Sequence, residues 1–218
     1  MVRLPPPIVA VTPGVSSPEE VEGLLRQVER AAAAGLEGLL LREHGLEDGA
    51  LLAMALECRR LMGTGWLAVS DRIHVALRCG AEAVQLGHRS LGAEQALMVE
   101  ECARHGAAGR RLAIGVSDHA VPRREDLDAA DYATLAPWGE VPGKGPAVGS
   151  DGFRECLKRR AEEGLVTPTW ALGGLGSSDL RDVRGVGAHG AFVIRGMDWG
   201  GHPDAAVEQL TAAWEACG

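Results

Sequence analysis

Eight short apolar runs recur along the chain, and each is followed by a stretch whose apolar residues return at helical spacing. This alternation predicts a parallel sheet with right-handed crossovers. Eight such units closing on themselves form a (β/α)₈ barrel, so we predict an α/β, single-domain TIM barrel over residues 1–218. An open doubly wound sheet is the alternative, although no dinucleotide-binding fingerprint follows the first run. The runs are Ile8–Thr12, Gly38–Leu41, Trp66–Val69, Ala83–Leu86, Leu112–Val116, Tyr132–Ala136, Thr169–Leu172 and Ala191–Ile194.

Capping residues and glycines predict where several of the helices begin and end. Ser17-Pro18-Glu19-Glu20 is a capping box with proline at the first helical position. The helix that it opens should stop at Gly35, and the third helix should stop at Gly80. Glycine contributes 30 residues, well above the usual share of ~7 %. The remaining glycines must therefore serve turns or close approaches of the backbone.

Composition excludes several classes of protein. A hydrophobic content of 46 % is too high for a disordered chain, and a net charge of −8 argues against a nucleic-acid partner. With 4 % aromatic residues, the core should consist mainly of Leu, Val, Ile and Ala. No apolar run approaches the ~18 residues of a membrane span, and no basic and apolar leader opens the chain.

The cysteines indicate a reducing compartment. The chain has 5 of them, an odd number, widely scattered and without C-x-x-C spacing. We therefore expect reduced, mostly buried thiols in a cytoplasmic protein that contacts neither membranes nor nucleic acids.

A TIM barrel carries its active site at the carboxyl ends of its strands, so the residues that follow each run are the candidates for chemistry. Most of them are charged or polar, as a catalytic rim requires. They include Arg42 and His44, Asp71, His88, His119, Lys144 and Arg195.

The loops after the seventh and eighth runs predict a phosphate site. Gly173, Gly174 and Gly176 would let main-chain N–H groups approach an anion at the start of a helix. Arg195 and Gly196 would form the other wall of that site. The alternative is a tight strand-to-helix turn that simply requires glycine.

Seven segments together resemble the thiamine phosphate synthase family, which includes the thiazole tautomerases of thiamine biosynthesis. The resemblance runs from strand to strand in order and implies a (β/α)₈ barrel that binds a thiazole phosphate on the two glycine loops. The segments are LLLREH (Leu39–His44), SDRIHVAL (Ser70–Leu77), GAEAVQLG (Gly80–Gly87), GVSDH (Gly115–His119), DYATLAP (Asp131–Pro137), ALGGLGSSDL (Ala171–Leu180) and GAHGAFVI (Gly187–Ile194).

Departures from the synthase pattern separate the two branches. The pattern Gln-x-Arg-x-Lys after the second run is Leu40, Arg42 and His44 here, and the pattern Thr-x-Thr-Lys reads Val141–Lys144. The second magnesium-binding Asp of the synthases falls at about Ser90, which leaves Asp71 as the metal ligand if the reaction uses Mg²⁺. These losses favour the tautomerase branch, which needs no cofactor.

In the tautomerase interpretation, the resemblance assigns the proton transfer to His119, with Gln85 at the end of the fourth strand. A histidine can give and take a proton near neutral pH. Arg42 would hold a substrate carboxylate, and Lys144 would contact the phosphate from a loop.

Other interpretations stay open at this stage. The synthase reaction, which joins a pyrimidine pyrophosphate to a thiazole phosphate with Mg²⁺, is the second hypothesis, and a non-catalytic phosphate-binding paralogue is the third. Asp71 with Arg72 could instead cap the third helix, and Arg42 could pair with Glu43 or Asp71. The partner is a small phosphorylated thiazole, and a homodimer is a further expectation, since such barrels often pair.

Overall fold

The computed structural model describes residues 2–87, 90–103, 111–119 and 124–217. Eight parallel strands pair in chain order, and the first pairs with the last, so the sheet closes into a barrel. This closure confirms the predicted (β/α)₈ TIM barrel and excludes the open sheet. The strands are β1 (Ile8–Val11), β2 (Gly38–Leu41), β3 (Trp66–Ser70), β4 (Ala83–Leu86), β5 (Ala113–Asp118), β6 (Tyr132–Leu135), β7 (Thr169–Leu172) and β8 (Ala191–Val193).

A helix follows each strand, as the alternation predicts, and short 3₁₀ turns at Ser177–Asp179 and Arg195–Met197 follow β7 and β8. No helix in these described ranges is long and apolar enough to cross a membrane. The helices are α1 (Pro18–Ala33), α2 (Asp48–Met62), α3 (Ile73–Cys79), α4 (Ala93–Ala103), α5 (Arg124–Ala129), α6 (Gly149–Glu162), α7 (Leu180–Gly185) and α8 (Pro203–Glu215).

The local start and stop signals act as expected. The Ser17 side chain accepts the N–H of Glu20, and the Glu20 carboxylate accepts the N–H of Ser17, which completes the capping box of α1. Gly80 ends α3 in the left-handed conformation at φ 68°. These features fix where α1 begins and where α3 ends.

The barrel interior differs from the expected aliphatic core. Its lower half holds four buried aromatic side chains, with Tyr132 at 5.8 Å from Trp170 and 6.0 Å from Trp66 in edge-on contacts. Small residues make this space available: a Cβ on Gly115 would lie 2.1 Å from Cζ of Tyr132. Val9, Val11 and Leu40 pack with these rings, and most of the other aliphatic residues fill the layer between the strands and the helices.

Candidate active site

The floor of the site is a layer of polar side chains above the aromatic cluster. Gln85 of β4 is 4 % exposed, and its Nε2 donates to the hydroxyl oxygens of Ser117 (3.1 Å) and Thr134 (3.4 Å). Its Oε1 is buried and has no hydrogen-bond partner among the described residues. Because these three residues belong to neighbouring strands, their amide and hydroxyl groups fix one polar surface at the carboxyl end of the barrel.

Arg42 lies directly after β2 at the edge of this floor. Its main-chain N–H donates to Oγ1 of Thr12 at 2.8 Å, which ties it to the end of β1. Its guanidinium has no hydrogen-bond or ion-pair partner within the described part of the chain, so the structure contradicts the alternative of a pair with Glu43 or Asp71. A half-buried guanidinium without a partner is suited to bind an anionic ligand group.

His119 follows β5 directly and is exposed at the rim. Its Nδ1 lies 3.0 Å from the main-chain oxygen of Ala136, beyond the end of β6. Since a carbonyl oxygen only accepts hydrogen bonds, we assign the ring proton to Nδ1, which leaves Nε2 as the basic nitrogen. The His119 side chain can therefore take up a proton at Nε2.

Asp71, Ser90 and His44 form a second polar cluster at the ends of β2, β3 and β4. Asp71 adopts φ 63°, and its Oδ1 accepts the Gly87 N–H at 3.0 Å and the Ser90 hydroxyl. Its other oxygen lies 3.5 Å from Nδ1 of His44. Arg72 occupies the N-cap position of α3, but no side-chain hydrogen bond caps this helix, so the expected capping by Asp71 is wrong. Instead, its carboxylate holds the turn after β4.

This cluster lacks the second carboxylate of the magnesium site that the family resemblance implies. Mg²⁺ is held by hard oxygen ligands, and Asp71 supplies the one carboxylate among Asp71, Ser90 and His44. Partial burial, followed by the charge of Arg42, lowers the pKa of His44, so it adds a neutral nitrogen that Mg²⁺ does not favour. No group of three or more acidic, His or Cys side chains converges within residues 2–87, 90–103, 111–119 and 124–217.

The two glycine loops meet as predicted, and their backbones touch. A Cβ on Gly196 would lie 2.8 Å from the Leu175 carbonyl oxygen and 3.3 Å from Cα of Gly176. Gly173 and Gly174 have φ of 92° and 74°, and a Cβ on Gly174 would lie 2.9 Å from the backbone of Gly139. Close contact between loops therefore requires some of the glycines that we assigned to anion binding.

Several N–H groups in these loops remain available to an anion. Those of Gly174, Ser177 and Gly196 have no acceptor in the described ranges. The N–H of Gly176 is different, because it already donates to the Asp179 carboxylate at 2.8 Å. The loops thus retain donors for an anion, although Gly176 contributes one only if Asp179 moves away.

The remaining candidates lie around the mouth of the barrel. Lys144 is exposed on the loop between β6 and α6, and the guanidinium of Arg195 donates to the Glu140 carbonyl of the same loop at 3.3 Å. Trp138 of the same loop is 6 % exposed and packs edge-on against Phe153 of α6. His88, the other histidine expected at the rim, lies outside the described residues.

The sequence did not predict the contacts that Thr12 makes with Arg42, Ala136 with His119 and Asp179 with Gly176. Thr12 and Asp179 follow their strands as polar residues, so a wider survey of strand ends could have found them. Ala136 acts through its main-chain oxygen, for which no side-chain pattern exists.

The chain is similar to several known proteins. The family model described as "Thiamine monophosphate synthase" matches residues 8–197. The chain is 34 % identical over 181 residues to a "Thiamine-phosphate synthase" of Gloeobacter violaceus, a match that covers 80 % of this chain and 49 % of that protein. It is 31 % identical over 185 residues to one of Methanoculleus marisnigri, covering 83 % of this chain and 82 % of that protein.

The match therefore spans about half the length of the Gloeobacter protein. Among solved structures, a "Thiamine phosphate pyrophosphorylase" from Pyrococcus furiosus superposes with a TM-score of 0.76 at 23 % identity, covering 96 % of both chains. At that identity the superposition supports the barrel fold alone.

Proposed function

The chain belongs to the thiamine monophosphate synthase family, and from that membership we propose that it binds a thiazole phosphate at the carboxyl end of its barrel. The names of its relatives favour the synthase reaction, since both of those described above are called thiamine-phosphate synthases. In that reaction a pyrimidine pyrophosphate joins the thiazole phosphate. The departures from the synthase pattern favour the tautomerase branch, but the names of the relatives support the synthase function more strongly.

Phosphate binding rests on the loops after β7 and β8. The free N–H groups of Gly174, Ser177 and Gly196 would donate to the phosphate oxygens, and the contact between the loops holds these donors together. Lys144 would add a positive charge from the loop above. This set of donors is the observation that carries the proposal.

In the synthase reaction Arg42 and Lys144 would face the pyrophosphate. Both cations lack an ion-pair partner among the described residues, so their charge is free to offset that of a leaving group. If Mg²⁺ takes part, Asp71 would be its one carboxylate ligand in this cluster, and oxygens of the pyrophosphate would supply further ligands.

The geometry of His119 favours thiazole tautomerisation as a second candidate. Its Nε2 would take a proton from one atom of a dihydrothiazole carboxylate phosphate and return it at another, and the product is an aromatic thiazole. This proton shift consumes no oxidant and needs no metal. Arg42 would bind the substrate carboxylate through two parallel hydrogen bonds, and Gln85 would form the floor beneath the ring.

A pair of assays on the purified protein tests these alternatives. Formation of thiamine phosphate from both substrates would support the synthase function, and its dependence on added Mg²⁺ against a chelator would show whether the metal is required. Conversion of the dihydrothiazole in the presence of the chelator would support the tautomerase function. Binding of thiazole phosphate without either turnover would identify a non-catalytic paralogue, and failure to bind it would overturn the proposal.

A further inference from the structure

A buried ion pair lies directly behind His119, on the outer face of the barrel. Asp118, the last residue of β5, and Arg160 of α6 are 6 % and 3 % exposed. One terminal nitrogen of Arg160 donates to Oδ2 of Asp118, and the other donates to Oγ1 of Thr169 at 3.0 Å. Arg160 thereby connects the end of β5 to the beginning of β7 across the outside of β6.

The second oxygen of this carboxylate holds His119. Oδ1 of Asp118 accepts the main-chain N–H of His119 at 2.8 Å. The main-chain oxygen of Asp118 also accepts the N–H of Ala136 at 3.1 Å, and the Ala136 oxygen in turn accepts Nδ1 of the His119 ring. The backbone of His119 is therefore held by Asp118, its ring is held by Ala136, and a hydrogen bond joins these two residues.

Stability alone is a poor explanation for this pair. Burial raises the pKa of Asp118 even though Arg160 opposes the shift, and burial lowers the pKa of Arg160. Nε of Arg160 is buried without a partner in the described part of the chain. Buried ion pairs of this kind can often be replaced by apolar residues without loss of stability. What an apolar pair cannot do is accept the His119 N–H.

We propose that Asp118 and Arg160 are positioning residues for His119, which hold its ring nitrogen in the orientation needed for proton transfer. The proposal rests on the proposed proton-transfer role of His119. Arg160 fixes the Asp118 carboxylate, and that carboxylate fixes the main chain of His119. Neither residue contacts the substrate, so the pair acts on the rate through His119 alone.

Two double variants of the full chain distinguish the positioning of His119 from a purely structural role of the Asp118–Arg160 ion pair. Asp118→Leu with Arg160→Met removes both charges and also removes the acceptor of the His119 N–H. Asp118→Asn with Arg160→Gln is the matched control, because it also removes both charges while the Asn oxygen can still accept that N–H. Folding of each is checked by cooperative thermal unfolding.

Two measurements are made on each variant. The first is the tautomer of His119 in the free protein, read from the ¹⁵N shifts of labelled histidine and assigned with His119→Asn. The second is kcat and KM for the dihydrothiazole carboxylate phosphate. The first measurement needs no turnover, so an absence of activity would refute the tautomerase function without deciding the positioning role.

For the Leu/Met variant we expect loss of the single Nδ1–H tautomer and a kcat lower by ~10-fold or more, with KM little changed. The Asn/Gln variant should keep the wild-type tautomer and kcat within about threefold. The proposal is overturned if a folded Leu/Met variant keeps the wild-type tautomer, or if a folded Asn/Gln variant loses it. Should the Leu/Met protein not fold, the Asn/Gln outcome still decides.

Discussion

The ring Nδ1 of His119 lies 3.0 Å from the main-chain oxygen of Ala136, which leaves Nε2 as the proton-free nitrogen of the neutral ring. A neutral imidazole with its tautomer set in this way can act as a base at Nε2 and then as an acid from the same atom. A single side chain can therefore carry out both halves of a proton shift.

Replacing His119 by alanine should lower the rate of thiazole tautomerisation by ~10²-fold or more, because the proton acceptor is lost. The measurement is the initial rate of aromatic thiazole formation, followed by absorbance. His74→Ala is the control, since that histidine is exposed and pairs with Asp48 away from the site. An unchanged rate in His119→Ala would show that another group moves the proton.

Gly196→Ala should weaken thiazole phosphate binding by ~10-fold, which corresponds to about 1.4 kcal/mol. The added Cβ would lie 2.8 Å from the Leu175 carbonyl oxygen and would push the two phosphate loops apart. Isothermal titration calorimetry measures the change. Gly200→Ala is the matched control, because its Cβ would meet nothing within 4 Å, and equal affinities for the two variants would contradict the predicted site.

Gly115→Ala should reduce the free energy of unfolding by about 2 kcal/mol or more, because its Cβ would overlap the ring of Tyr132. Urea denaturation provides the value. Gly23→Ala on α1 is the reference, since open space surrounds that position and alanine favours a helix by ~0.5–1 kcal/mol. A Gly115→Ala protein as stable as the wild type would mean that the barrel interior is less tightly packed than described.

Cys58 should resist alkylation at pH 8, while the exposed Cys102 reacts. Burial raises the pKa of the Cys58 thiol to about 12, so its thiolate fraction at pH 8 is on the order of 10⁻⁴. Peptide mass spectrometry after a short iodoacetamide pulse ranks the thiols, and the urea-unfolded chain, in which every thiol reacts, is the control. Equal labelling of Cys58 and Cys102 in the folded protein would contradict this order.

The raised pKa of Cys58 also makes the stability of the folded protein depend on pH. Because the pKa of Cys58 is higher in the folded than in the unfolded state, its contribution to the free energy of unfolding is complete below the unfolded thiol's pKa of ~8.5. That contribution then decreases as the pH rises towards about 12. Cys58→Ala should flatten this part of the pH profile.

Much of the barrel follows from the order of residues alone. Short apolar runs such as Gly38–Leu41 are buried on both faces, and this makes a parallel strand recognisable without any partner. The cap at Ser17 and the left-handed Gly80 depend on only a few neighbouring residues. The start of α1 and the end of α3 can therefore be predicted from short stretches of sequence. Strand ends in a barrel all point to one rim, which is why Arg42 and His119 could be selected as candidates.

Contacts between residues that are far apart in the sequence could not be predicted from it. Arg160 and Asp118 are 42 positions apart, and Ala136 bonds the His119 ring through a main-chain oxygen that every residue has. Asp71 could be assigned to a helix cap or to a metal until the folded barrel placed Ser90 and His44 beside it. Such pairings depend on barrel closure and strand register, which are set by the packing of all eight strands together, so no local stretch of sequence encodes them.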